Sequence, residues 1–127
     1  MTEQEFKRRT KQFALRVIKL VESLPNTKTA SVIGYQLLKA GTSVGANYRA
    51  ACRGRSAKDV IAKLGIVEEE TDESLYWMEL LIEAELIPEE RLAALMQEGN
   101  EILSMTVASI KTLRKPCRKH PNPKSQI

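Results

Sequence analysis

Two pairs of carboxylates stand three residues apart, Glu70 with Glu73 and Glu98 with Glu101, and in a helix each pair would share one face. Carboxylates facing one another inside a helical bundle are the raw material of a di-metal centre, which also draws on a Glu-x-x-His from each of two helices. The one histidine is His120, far along a polar C-terminal segment. What remains is an all-oxygen set at a spacing common on helix surfaces, so neither a metal nor a cofactor is expected. The glutamates read instead as ion-pairing or hydrogen-bonding groups. Nucleophilic catalysis lacks a base, because Cys52 and the serines have no histidine in the helical region to activate them. Gly41-x-x-x-Gly45 lies inside a helical pattern without the lysine of a phosphate-binding loop. Acid–base work by Glu70 and Glu73 would need a substrate pocket that nothing in the sequence marks. The expectation is therefore a protein that binds and does not catalyse.

The cations are better placed for chemistry. Arg49, Arg53, Arg55 and Lys58 cluster around a break at Gly54, with Tyr48 adjacent, where guanidinium groups and exposed N–H groups could meet phosphates. Lys7, Arg8, Arg9 and Lys11 form a second cluster, and the segment from Lys111 to Lys124 a third. The formal net charge of +4 conceals their segregation. Residues 1–66 hold thirteen Lys/Arg against four Asp/Glu, residues 67–110 one against twelve, and residues 111–127 six against none. Packed side by side, such helices present a basic face and an acidic face. The basic face suits polyanions; the two together equally suit a second copy of the chain, or ion pairs of Arg49 and Arg53 with the acids downstream. With six aromatic residues in all, a base-stacking platform is not expected, so any RNA would be held by backbone charge and shape.

Four helical stretches must position these groups, and no strand pattern competes with them. Phe6, Phe13, Val17, Leu20 and Leu24 give the first an apolar stripe that Pro25 ends. The second is expected from about Thr29 to Cys52, with Ile33, Leu37, Ala40, Val44, Asn47 and Ala51 as its seam; Gly41 and Gly45, one turn apart, suggest close approach of a neighbour. Ser56 can cap the third, with Asp59 reaching back, and this helix runs from about Ala57 to Glu85. Pro88, at a first-turn position, opens the fourth, whose stripe is Leu92, Leu95, Gly99, Ile102, Thr106, Ser109 and Leu113. Short connections between long helices predict an all-α, up-down-up-down antiparallel four-helix bundle over residues 1–115, followed by a basic, Pro-containing disordered tail over 116–127. Cys52 and Cys117 are expected to be reduced thiols.

Two features go beyond a plain bundle. Asn47 interrupts an apolar seam, and a buried amide must be satisfied; Glu70 is its expected partner, with Glu73 or Thr71 next. On the third helix, Ile66, Trp77 and Leu80 gather around Glu70 and Glu73 on the side opposite the core stripe, which predicts either deeper burial of that helix or a subunit contact.

The segments Ser43-Val44-Gly45-Ala46-Asn47, Arg53-Gly54-Arg55-Ser56, Lys63-Leu64-Gly65-Ile66 and Glu70-x-x-Glu73-x-x-x-Trp77 together resemble the bacterial proteins encoded by intervening sequences within 23S rRNA genes, over roughly residues 10 to 115. That family is distantly similar to the accessory protein of diversity-generating retroelements, a pentamer thought to bring RNA to a reverse transcriptase. The resemblance implies a four-helix bundle, favours a homo-oligomer, with a pentamer as the expected size, and moves the Ile66–Trp77–Leu80 face toward a subunit contact. A role in holding structured RNA or a nucleic-acid-processing protein through the basic surface is the functional expectation; the alternative is a structural oligomer that binds a protein partner through the acidic face of the third helix. The N-terminus lacks the apolar core of a signal peptide, and apolar runs are too short for a membrane span, so a cytoplasmic protein is expected.

Overall fold

A computed structural model describes residues 1–116. Four helices form a bundle: α1 (Glu3–Glu22), α2 (Lys28–Cys52), α3 (Ala57–Glu83) and α4 (Glu89–Arg114), with no strand among the described residues. Residues 117–127, which include Cys117 and nearly all of the expected tail, lie outside the described residues.

Local chemistry sets the helix ends. Thr2 and Glu5 form a reciprocal capping box at the start of α1, with the Thr2 hydroxyl accepting from the Glu5 N–H and the Glu5 carboxylate accepting from the Thr2 N–H. Thr27 and Ser56 cap α2 and α3, accepting from the N–H groups of Ala30 and Asp59. Asp59 does reach back, but to the Arg55 N–H and not to that of Ser56. Pro88 sits one position earlier than expected, in the extended conformation just before α4. It still separates α3 from α4, since its ring cannot continue a helix inward.

The C-terminus of α3 closes with the Glu85 N–H donating to Ile82 O and the Leu86 N–H to Leu81 O, both at 2.9 Å. This double bond pattern requires a left-handed residue, and Glu85 fills that position with φ 59° where glycine would be free of strain.

Each helix gives one side to a common core. Phe6, Phe13 and Val17 of α1 meet Leu37, Val44 and Tyr48 of α2, Leu64, Val67, Met78 and Leu81 of α3, and Leu92 and Ile102 of α4, all essentially without solvent exposure. The buried threonine hydroxyls in this interior are satisfied within their own helices: Thr10, Thr71 and Thr106 each donate to a carbonyl one turn earlier. Small residues let α1 and α2 approach. A Cβ on Gly41 would lie 2.9 Å from both γ-methyls of Val17, and one on Gly45 would lie 3.2 Å from the Thr10 hydroxyl. Gly34 meets Leu24 in the same way at 2.8 Å.

Candidate nucleic-acid interface

Tyr48, placed beside the basic turn by its sequence neighbours, belongs to the core. It is 1% exposed, and its ring packs edge-on against Phe6 at 4.6 Å. The α2 seam therefore runs from Val44 to Tyr48 to Ala51, and Asn47 falls just outside it. A four-residue step in place of the expected three makes the difference, because a helix of 3.6 residues per turn permits either. Asn47 is half-buried, and its Nδ2 donates to the Ser43 carbonyl at 2.8 Å. The expected buried cluster of Asn47, Glu70 and Glu73 is corrected accordingly: the amide is satisfied inside α2, Thr71 and Ser74 donate to α3 carbonyls, and Glu73 is exposed. Glu70 is half-buried, and desolvation together with the nearby Glu73 charge raises its pKa above the usual carboxylate range, with Lys39 of α2 opposing the shift.

On the second face of α3, Ile66, Trp77 and Leu80 are each half-buried. Trp77 packs against the chain's own core, with its indole Nε1 enclosed and without a hydrogen-bond partner among the described residues. Tyr76 stands edge-on to it at 5.1 Å and is 52% exposed.

The cations divide sharply. Arg9 is consumed by α4: its Nε and Nη2 donate to the two carboxylate oxygens of Glu98 at 2.9 and 2.6 Å, and Nη2 also reaches Glu101 at 2.9 Å. Such a two-pronged pair fixes geometry as well as charge. It holds Arg9 firmly protonated, chiefly through the Glu98 bond, and draws the Glu101 carboxyl below its ordinary value, chiefly through Arg9. Sequence reasoning counted Arg9 in the positive field and left the Glu98–Glu101 pair without a partner. The only available hint was charge complementarity between α1 and α4.

Arg49, Arg53, Arg55 and Lys58 are all exposed, and among the described residues their side chains make no ion pair or hydrogen bond. Pairing of Arg49 or Arg53 with α3 carboxylates within the chain is thus absent among the described residues. The folded chain also joins Arg49 to the α1 cluster. A groove of about 580 Å³ runs between α1 and α2, with Lys7, Arg8 and Lys11 on one wall, Arg49 on the other, and Thr10, Gly45 and Ala46 at its base. Lys7 keeps a loose contact with Glu3 at 3.8 Å, half-exposed and readily screened. A broader depression on α4, lined by Met96, Asn100 and Met105 among others, draws on that helix alone and gathers no converging charge.

Burial pushes the Cys52 thiol up, which the neighbouring Glu3 reinforces and Tyr48 and Lys7 oppose, so the nucleophilic thiolate is disfavoured. No group of metal-ligating side chains occurs among the described residues.

Comparison with known proteins agrees with this architecture. The model of the 23S rRNA-intervening sequence protein family matches residues 2–108. The chain belongs to that family. Its structure is similar to that of a protein of unknown function from the S23 ribosomal protein family of Bacteroides thetaiotaomicron VPI-5482, at 36% identity and a TM-score of 0.81, covering 87% of this chain and 99% of that one. Comparison with curated proteins finds no match. In this member of the 23S rRNA-intervening sequence family, then, the motif Ser43 to Asn47 serves close packing: Val44 is core, Gly45 admits Thr10, and Asn47 bonds its own helix.

Proposed function

We propose that this family member is a non-enzymatic, cytoplasmic oligomer that holds structured RNA on its basic side. One observation carries the reading: Arg49, Arg53, Arg55 and Lys58 remain exposed and uncommitted, although the same chain uses Glu98 and Glu101 to neutralise Arg9. Exposed cations without internal partners are available to phosphates, and counterion release from the RNA then drives association. No helix among the described residues is long and apolar enough to cross a membrane.

The helices follow one another in an up-down-up-down order in this reading. Opposed numbering at the α1–α2 contact, where Gly34, Gly41 and Gly45 face Leu24, Val17 and Thr10, supports it. Oligomerisation, with a pentamer implied by resemblance, repeats the cations around a ring and multiplies phosphate contacts. Exposed Tyr76 beside half-buried Trp77, Ile66 and Leu80 is the proposed subunit contact, and Trp77→Ala is expected to lower the mass found by light scattering. A monomer in the unmodified protein at micromolar concentration refutes the assembly.

Filter binding tests the function. Affinity for RNA is expected to fall with salt by roughly one log unit per log unit of salt for each phosphate contacted, with little dependence on base sequence. Reversing Arg53 and Arg55 to Glu should weaken binding without changing assembly. If the intact protein binds no RNA at low salt, the reading falls, and recognition of a protein partner by the exposed acids of α3, such as Asp72 and Glu73, takes its place.

A further inference from the structure

We propose that the groove between α1 and α2 is the seat of the RNA sugar–phosphate backbone, and that the cations of the α2–α3 turn only extend it. The inference rests on the RNA-binding reading above and assigns its contact residues. In this groove the structure brings cations from two helices together: Lys7, Arg8 and Lys11 of α1 and Arg49 of α2 line it with Thr10, Gly45 and Ala46. No carboxylate lines it. Arg53, Arg55 and Lys58, by contrast, are exposed around the α2–α3 turn and the first residues of α3, and none of them lines this groove.

Its shape favours a strand's backbone over its bases. Lys7 and Lys11 stand one turn apart on α1, about 6 Å along the helix axis, which suits contacts to successive phosphates of one strand. Ala46 is exposed and carries only a methyl group, so the backbone can come close to the α2 surface between the cations. No aromatic side chain lines the groove, which leaves the bases outside and recognition independent of sequence. Arg9 cannot contribute, being held on the far side of α1 by Glu98 and Glu101. That orientation explains why four consecutive-looking cations in the sequence act as three. Lys7 and Lys11, four residues apart, share one face of α1 and line the groove together with Arg8, whereas Arg9 is turned toward α4.

Three variants separate this seat from the turn: Lys11→Glu with Arg49→Glu in the groove, Arg53→Glu with Arg55→Glu on the turn, and Ala46→Glu alone. The first two change net charge equally, so general repulsion cancels in the comparison. Ala46 is exposed, and its replacement puts a carboxylate in the groove without removing a cation or a core contact. With the full chain and a fluorescein-labelled RNA hairpin of arbitrary sequence, the groove pair is expected to lose about tenfold or more in affinity and about two units of salt slope. Ala46→Glu should weaken binding severalfold, and the turn pair should lose less than the groove pair. Thermal melts and light scattering on each variant confirm that fold and assembly persist. If Ala46→Glu binds like the unmodified protein and the turn pair loses more than the groove pair, the groove is not the seat, while RNA binding itself stands. If the unmodified protein does not bind the hairpin at low salt, both readings fall.

Discussion

Glycine positions on two faces of the bundle should respond to the same substitution in opposite directions. Gly65 lies inside α3 with no atom within 4 Å of where a Cβ would stand. Gly65→Ala therefore displaces nothing and removes the entropic cost of glycine in a helix, about 1 kcal/mol. Gly41, in the middle of α2, gains the same local term but meets Val17 at 2.9 Å through both γ-methyls and at 3.1 Å through its Cβ. A β-branched side chain in a helix has essentially one rotamer, so Val17 cannot turn aside and the helices must part by tenths of an ångström. Overpacking of this kind costs about 1–3 kcal/mol, which leaves Gly41→Ala destabilised by about 1 kcal/mol net. In a domain of this size about 1 kcal/mol moves the melting temperature by about 4 °C, so the two variants should differ by about 8 °C. Thermal unfolding followed by circular dichroism, at one fixed protein concentration, measures this directly. Equal melting temperatures for the two alanine variants would refute the close α1–α2 contact, and a Gly65→Ala variant less stable than the parent would show that α3 is packed on that side as well.

A double-mutant cycle on Arg9→Ala and Glu98→Ala should give a coupling of about 1 kcal/mol, since the pair is two-pronged but still about one-quarter exposed; additive losses would mean that the bridge contributes nothing. Glu85→Gly should raise stability by about 0.5–1 kcal/mol by relieving the left-handed position, and a loss on chemical denaturation would contradict the assigned α3 terminus. Acid melts test two carboxylates of opposite sign. The Glu101 carboxyl is held below its unfolded value, so its contribution is complete above an ordinary glutamate pKa of about 4.3 and is lost as pH falls through the lower folded value. Glu70, raised by burial and Glu73, opposes folding when ionised, so Glu70→Gln should stabilise at neutral pH and lose that advantage as the parent's Glu70 protonates on acidification. A pH-independent difference between Glu70→Gln and the parent would show that its charge is fully solvated.

Periodicity and punctuation alone determined the four helices. Apolar residues at helical spacing, the hydroxyl cap at Ser56, and the prolines at 25 and 88 act over a few residues, so they are legible in a linear string. That the single histidine, His120, falls outside the four helical stretches was equally legible. What only the tertiary structure decided were the azimuths and the pairings across helices. Whether position 47 or 48 enters the core turns on a rotation that the spacing leaves open, and the bundle resolves it by burying the larger apolar surface of Tyr48 and leaving the amide of Asn47 to its own helix. The fate of Arg9 depends on Glu98, eighty-nine residues away, and adjacent cations on α1 were separated into one neutralised across the bundle and three that line a groove only when α4 packed on one side and α2 on the other. Charge sums over a segment cannot reveal this, because Coulomb attraction depends on distances that folding alone creates.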